Sequence, residues 1–205
     1  MSAAYPWEEV QELLRGDLQK KRYEHTLGVT YTACALAMCH GADLSQARIA
    51  GLLHDCAKCL PDEEKLALLE QEQLPVREIE RAHPGLLHAG AGAVLARKKY
   101  QVTDEAVLEA IRLHTTGAPA MSLLAKIIYV ADYIEPHRHR APKLDELRAL
   151  AFHDLDLCVC RIMEQTVTHL SEAQSDPTAT DPRTATALSY YQELIAARRG
   201  PQAET

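Results

Sequence analysis

Aromatic residues are scarce in this sequence, since its 205 residues include one Phe, one Trp and eight Tyr. Runs of β-branched residues, which favour strands, are almost absent, whereas the helix formers Ala, Leu, Glu, Gln and Arg are abundant. We therefore predict an all-α fold. The length favours a single domain over residues 1–205, with enough chain to bury a full core.

The sequence also lacks a net positive charge and long apolar runs. The net charge of −7 argues against a nucleic-acid partner, which needs a basic stripe, but a metal and a few cations can still attract an anionic small molecule. Residues 1–9 have neither the basic region nor the apolar core of a signal peptide. The apolar stretch 27–39 is too short to span a bilayer. We expect a cytoplasmic protein with no membrane partner.

The six cysteines do not form a recognised framework. Cys56 and Cys59 have the spacing of a zinc or redox motif, but a second Cys-x-x-Cys pair and a βαβ context are absent. We therefore expect reduced, structural thiols. The apolar segment 158–163 is predicted to be core, with the surface of a possible homodimer as the alternative.

Apolar periodicity and capping residues predict a series of helices with short joints. Asp43 and Ser122 are candidate N-caps, and Gly41 is a candidate helix stop. The expected helices cover 6–18, 22–40, 43–55, a segment opening at 61, 76–81, 86–100, 103–115, 122–132, 143–152, 154–173 and 182–199. A polar joint at 175–181 and a frayed tail at 200–205 complete the prediction.

Five polar residues stand in or next to apolar helical stretches: His25, His54, Asp55, His114 and Asp132. A single histidine there is more often a satisfied core residue than a ligand. Imidazole and carboxylate groups are costly to bury unless paired, and a divalent metal would pair with all of them. These donors suit iron, manganese, cobalt or zinc. Both members of the doublet His54-Asp55 can reach one ion if the helix end points at it, and Asp55 could bridge to a second.

Six collinear blocks resemble one family. They are residues 21–29, 51–58, 86–93, 110–117, 124–136 and 181–184, and they span roughly residues 20 to 190. The sequence is similar to the HD-domain metal-dependent phosphohydrolases, and within them to the YqeK branch of symmetrical diadenosine tetraphosphate hydrolases. The blocks Ala-Asp-Tyr-Ile-Glu-Pro and His-Thr-Thr-Gly carry the resemblance most specifically.

The resemblance implies an HD-type core at about 20–140, with helices over 143–199 completing the pocket. It implies a metal, iron by family habit with manganese or cobalt possible, held by His25, His54, Asp55 and Asp132. His88 and His114 would complete a second metal site or contact phosphate. The implied substrate-binding residues are Arg22, Cys56, Ala57, Lys58, Thr115, Arg138, Pro182, Arg183 and Thr184, and the implied catalytic residues are Asp55 and Lys58.

The implied reaction is cleavage of diadenosine tetraphosphate at an inner phosphate, which yields two ADP. A metal suits this chemistry because it lowers the pKa of bound water from about 15.7 towards 7. Lys58 lies three residues after Asp55, and Arg22 lies three before His25. One helical turn would point each cation the same way as its neighbour, towards phosphate oxygens.

Two positions depart from the family pattern. Asp181 stands where the family usually has His, and a carboxylate there could repel phosphate. Ala89 replaces a Gly, and its methyl group could narrow the site. His83 is a rival to His88, although the block match favours His88. The histidines that match nothing are expected to be exposed, namely His40, His137, His139, His153 and His169, of which His137 and His139 could also touch phosphate.

Two other functions remain open from the sequence. The protein could be an HD-domain phosphohydrolase acting on a nucleoside monophosphate, a cyclic nucleotide or guanosine tetraphosphate. It could also be a non-catalytic nucleotide-binding or scaffold protein that keeps the metal as a structural element.

Overall fold

The computed structural model describes residues 6–173 and 181–199. Within these residues the chain is helical and contains no strand, which confirms the predicted all-α class. The helices are α1 (Trp7–Asp17), α2 (Lys20–His40), α3 (Leu44–Leu53), α4 (Asp62–Gln71), α5 (Glu78–Ala82), α6 (Leu87–Lys98), α7 (Glu105–Leu113), α8 (Leu123–Ile134), α9 (Leu144–Ala151), α10 (Leu155–Ala173) and α11 (Pro182–Arg199), with a 3-10 turn at Pro84–Leu86. The predicted joint lies almost wholly outside the described residues, and the tail lies outside them entirely.

Local capping chemistry sets several helix ends where the sequence predicted them. The Asp43 carboxylate accepts a hydrogen bond from the Gln46 amide at 2.9 Å and begins α3. The Ser122 hydroxyl likewise accepts from the Ala125 amide at 3.2 Å and begins α8. Gly41 ends α2 at φ +74°, a backbone conformation in which other residues are strained.

One predicted helix end is wrong in a way that matters for the site. Helix α3 ends at Leu53 and does not run through the His54-Asp55 doublet. Residues 54–59 form consecutive turns instead, in which the Lys58 amide donates to the Asp55 carbonyl at 2.9 Å. Lys58 and Asp55 therefore lie in one turn closed by this hydrogen bond, which follows α3 and is not part of it.

Helices α2, α3, α7 and α8 pack against one another in the middle of the fold, and α6, α10 and α11 flank them. One apolar core runs from Val10 on α1 to Ile195 on α11. Ile127 and Ile128 on α8 are fully buried in it, and each such side chain contributes about 1.5–3 kcal/mol. The polar residues of interest project from the central helices and so lie next to this core.

The cysteine-rich segment of α10 belongs to the same core. Cys158, Cys160 and Met163 are buried, so this face is not available as a dimer surface, and a homodimer stays a prediction. All six cysteines are free thiols, including Cys56 and Cys59, as expected. Within the described residues, no helix combines the length and the apolar character that a membrane span requires.

The contact between α2 and α3 depends on a glycine. A methyl group on Gly51 would lie 2.9 Å from the backbone Cα of Thr30, which cannot move without the whole helix. We expect Gly51→Ala to lower the free energy of unfolding by about 1–3 kcal/mol, measured by urea denaturation.

The matched control is Gly16→Ala, because a methyl group on Gly16 in α1 meets nothing within 4 Å. It should be neutral or stabilising by up to about 1 kcal/mol, since Ala favours helix. Equal stability of the two variants would show that α2 and α3 do not approach closely at Gly51.

Candidate metal centre

Six side chains from five parts of the fold meet at one place. His25 comes from α2, the doublet His54-Asp55 from the turn after α3, His88 from α6, His114 from the end of α7 and Asp132 from α8. These donors form three overlapping triads, and within each triad the ligand atoms lie within 4.8 Å of one another. The structure thus brings together all six residues that the sequence singled out as metal ligands or their neighbours.

The four predicted metal ligands form the first part of this cluster. The Nε2 atom of His25 lies 3.0 Å from Oδ1 of Asp132. The Nε2 atom of His54 lies 3.5 Å from Oδ2 of Asp55 and 3.8 Å from Oδ1 of Asp132. Two imidazoles and two carboxylates therefore point at a common volume, which is the arrangement that a divalent cation requires.

His88, His114 and Thr115 form the second part, on the other oxygen of Asp55. The Nε2 atoms of His88 and His114 are 3.0 Å apart, and they lie 3.3 Å and 3.6 Å from Oδ1 of Asp55. The Thr115 hydroxyl is 3.1 Å from each Nε2 atom. Asp55 thus faces the first group with Oδ2 and the second with Oδ1.

Backbone carbonyls orient three of the four imidazoles. The Nδ1 atom of His54 contacts the Gly51 carbonyl at 2.8 Å, and that of His114 contacts the Ile111 carbonyl at 2.7 Å. His88 makes the same contact with Gly85. A carbonyl only accepts, so Nδ1 carries the proton and Nε2 presents its lone pair to the cluster.

Three buried atoms of the cluster have no hydrogen-bond partner among the described residues: His25 Nε2, His54 Nε2 and Asp55 Oδ1. Leaving a buried polar atom without a partner costs about 1–3 kcal/mol. A divalent metal would satisfy such lone pairs, and imidazole and carboxylate are suitable ligands. The residues present therefore fit a metal ion.

The ionisation of the cluster also suits metal binding. Burial would raise the pKa of Asp55, but His54 and His114 hold it well below its ordinary value. Burial would likewise raise the pKa of Asp132, and the neighbouring imidazoles of His25 and His54 lower it. Burial lowers the pKa of His88 to about 3. At neutral pH the carboxylates are therefore charged and His88 is neutral.

The sequence analysis missed Glu135, a buried carboxylate that orients His25. Its Oε1 atom lies 3.2 Å from Nδ1 of His25, and its Oε2 atom accepts from the His137 amide at 2.6 Å. A methyl group on Gly28 would lie 2.5 Å from that Oε2, so the glycine makes room for the carboxylate. The signals that could have found it were its place in the Ala-Asp-Tyr-Ile-Glu-Pro block and its position three residues after Asp132.

Three of the predicted phosphate-binding cations surround the cluster. Arg22 is paired with Oδ2 of Asp55 at 2.8 Å. The Lys58 ammonium lies 3.2 Å from Nε2 of His88. Arg138 lies 3.5 Å from Oδ1 of Asp132. The structure thus places positive charge on both faces of the carboxylate pair.

A cavity of about 570 Å³ is lined by residues that precede and follow His114 in the sequence, and we name it the α7 cavity. Its lining includes Arg112, Thr116, Pro182 and Arg183, together with Ala89, so the extra methyl group does face this space. Two of the nine predicted substrate-binding residues, Pro182 and Arg183, line it.

Asp181 does not stand free to repel phosphate. Its carboxylate is paired with the Arg183 guanidinium at 2.6 Å, and Glu80 binds the same guanidinium at 2.6 Å. The pKa of Asp181, which burial would raise, is lowered by these hydrogen bonds from Arg183. The departure from the family pattern therefore holds Arg183 at the cavity.

Seven of the nine predicted substrate-binding residues do not line the cavity, and three of the seven are buried. Thr184 is buried and donates to the Thr116 carbonyl at 3.0 Å, so it supports the cavity wall. Cys56 and Ala57 are buried in the turn after α3, and the Cys56 thiol contacts the Gly92 carbonyl. Their side chains are closed off from solvent because this turn packs onto α6.

The other histidines lie outside the metal-ligand triads. His83 is half-buried and belongs to none of the triads, whereas His88 does. His137 and His139 are exposed, as predicted, and so are His153 and His169. The prediction that His40 is exposed is wrong, because the ring is half-buried with Nε2 at 2.7 Å from the Ala151 carbonyl.

We expect Glu135→Ala to weaken the affinity for Mn²⁺ by about 10–100-fold, because removing the partner of a ligating histidine frees its ring. Glu135→Gln should lose less, since the amide still accepts from Nδ1. Calorimetric titration of the metal-free protein measures both. Glu12→Ala, on the exposed face of α1, is the control, and an affinity equal to this control would contradict the orienting role of Glu135.

Comparison with known proteins agrees with this geometry. The HD domain family model matches residues 22–137. A Bacillus subtilis protein named symmetrical bis(5'-nucleosyl)-tetraphosphatase is 43% identical over 163 residues, which cover 80% of this chain and 87% of the relative. A protein of the same name from Halalkalibacterium halodurans is 39% identical and covers 90% and 94% of the two chains.

A solved structure shares the whole fold. It is that of a predicted HD superfamily hydrolase involved in NAD metabolism from Clostridium acetobutylicum, with a TM-score of 0.88 and 38% identity. The match covers 94% of this chain and 100% of that one. This chain therefore belongs to the HD-domain family, in the branch whose curated members are named symmetrical bis(5'-nucleosyl)-tetraphosphatases.

Proposed function

We propose that the protein hydrolyses diadenosine tetraphosphate at its centre and releases two ADP. The observation that carries this proposal is that the two carboxylate oxygens of Asp55 face different groups. Oδ2 faces His54, one of the predicted metal ligands, and Oδ1 faces His88, beside which the Lys58 ammonium lies. A negatively charged polyphosphate can be held against such a centre. The names of the relatives support the choice of substrate.

His25, His54, Asp55 and Asp132 would hold the metal. Bound there, a divalent ion supplies Lewis acidity that activates water and offsets phosphate charge. Imidazole and carboxylate donors are compatible with iron, which the family resemblance favours, and with manganese or cobalt. Glu135 and the backbone carbonyls of Gly51 and Ile111 keep the imidazoles aligned.

The second group has the donors of a second metal site, and it also suits phosphate because an ammonium and a hydroxyl group lie beside it. The Lys58 ammonium stands against the His88 ring, 3.2 Å from Nε2 and 3.4 Å from Nδ1. The Thr115 hydroxyl can donate to His114 Nε2. His88 and His114 would therefore position Lys58 and Thr115, and these two would contact the phosphate oxygens.

Two arginines beside the carboxylates of the centre complete the site for phosphate. Arg138 lies beside Asp132, and Arg22 lies beside Asp55, so phosphates entering the centre meet guanidinium groups as well as Lys58. Arg offers paired donors that match phosphate geometry. One adenosine half would enter the α7 cavity along Thr116, Pro182 and Arg183.

The test of the proposal is product analysis. The iron-loaded protein is incubated with diadenosine tetraphosphate, and the nucleotides are separated by chromatography. We expect ADP as the only product, because Lys58, Arg22 and Arg138 lie around the predicted metal ligands and can hold both ends of the polyphosphate.

Release of AMP together with ATP would refute central cleavage, although it would still show that the protein is a hydrolase. No turnover with iron, manganese or cobalt would refute this substrate. Nucleoside monophosphates, cyclic nucleotides and guanosine tetraphosphate form the comparison panel. Nucleotide binding without turnover on any of them would support the non-catalytic alternative.

We expect Lys58→Met to lower kcat by about 10²–10³-fold, as for removal of one donor that stabilises transition-state charge. The metal content should remain that of the unaltered protein, because Lys58 is not among the metal-ligand triads. Lys20→Met on the exposed start of α2 is the control. A Lys58 variant that loses its metal along with its activity would contradict a role on the phosphate.

A further inference from the structure

A second cavity is lined by Arg138, whose guanidinium lies beside Asp132, and we name it the α10 cavity. It measures about 670 Å³, within the range of small-molecule sites. It lies between the end of α8, the segment before α9 and the outer half of α10. Its lining includes Tyr133, Arg138, Arg140, Gln165, Thr168 and His169.

Arg138 connects this cavity to the metal ligands. Its guanidinium donates to the Asp132 carbonyl at 3.0 Å and lies 3.5 Å from the Asp132 carboxylate. It also lies 5.6 Å above the ring of Tyr133, the residue that follows Asp132 on α8. A phosphate chain leaving the metal centre past Asp132 would therefore enter the α10 cavity through Arg138.

The residues that line the two cavities follow different members of the cluster in the sequence. The lining of the α7 cavity includes Thr116, two residues after His114. The lining of the α10 cavity includes Tyr133, the residue after Asp132, and Arg138, whose guanidinium contacts Asp132. Each cavity is lined by arginine.

We propose that the α10 cavity binds the second nucleoside diphosphate half of the substrate. This inference rests on the proposed function, because only a substrate with two nucleoside ends needs two such sites. Central cleavage requires the middle of the polyphosphate to lie at the metal, and the two nucleosides must then extend away from it separately. The α7 cavity holds one of them, and the α10 cavity holds the other.

The lining suits a nucleoside with phosphates. Tyr133 offers an aromatic face on which a base can stack, and its hydroxyl is fixed by donation to Gln165 at 3.0 Å. Arg138 and the exposed Arg140 offer forked donors to phosphate. Glu164 is the acidic residue on this wall, and Arg161 pairs with it at 2.8 Å, which offsets its charge.

The kinetic test compares diadenosine tetraphosphate with adenosine 5'-tetraphosphate, which has one nucleoside end. In the metal-loaded protein, Arg140→Ala should lower the ratio of kcat/KM for the first substrate to that for the second by about tenfold, the effect of one charge-assisted hydrogen bond. Arg15→Ala on the exposed face of α1 is the matched control. An unchanged ratio for Arg140→Ala would overturn the proposal.

The binding test counts ADP bound at saturation by equilibrium dialysis with the metal-loaded protein. We expect two ADP per chain in the unaltered protein and one in Arg140→Glu. One ADP per chain in the unaltered protein, or two in the variant, would overturn the second site. The proposed function fails separately, if the unaltered protein releases no ADP from diadenosine tetraphosphate.

Discussion

The carboxylate of Asp55 is the group on which the site depends. It is buried beside core helices, yet it remains charged because His54 and His114 lower its pKa against the effect of burial. Each of its oxygens serves a different group, the metal ligands on one side and His88 with His114 on the other. An isolated buried charge is unfavourable. The surrounding imidazoles and cations are therefore needed to stabilise the folded protein as well as to carry out the chemistry.

Helix geometry supplies the alignment of the imidazoles. His54, His88 and His114 each direct Nδ1 at a carbonyl three residues earlier. For His54 and His114 that carbonyl lies in the last turn of α3 or α7, where carbonyls lack helical partners. These contacts leave Nε2 facing the centre. His25 stands in the middle of α2, where the helix uses its own carbonyls, and it therefore needs Glu135 from another part of the chain.

Much of this could be predicted from the sequence. Caps at Asp43 and Ser122 act within a few residues, so the starts of α3 and α8 were predictable. The donor types were also readable, because histidine and aspartate on apolar helices need a partner. The orientation of Lys58 was not predictable, since it depends on where α3 ends. The ion pairs of Arg183 with Glu80 and Asp181 join distant segments, and no local pattern specifies them.

The sequence by itself determined the helical class, the positions of most helices and the donor types that meet at the candidate metal centre, because periodicity, caps and donor types are local properties. Only the tertiary structure decided that Asp55 faces two groups, that Glu135 contacts His25 and that Arg138 joins Asp132 to a separate cavity. These features depend on distances between α2, α6, α7 and α8, which the packing of the shared apolar core fixes.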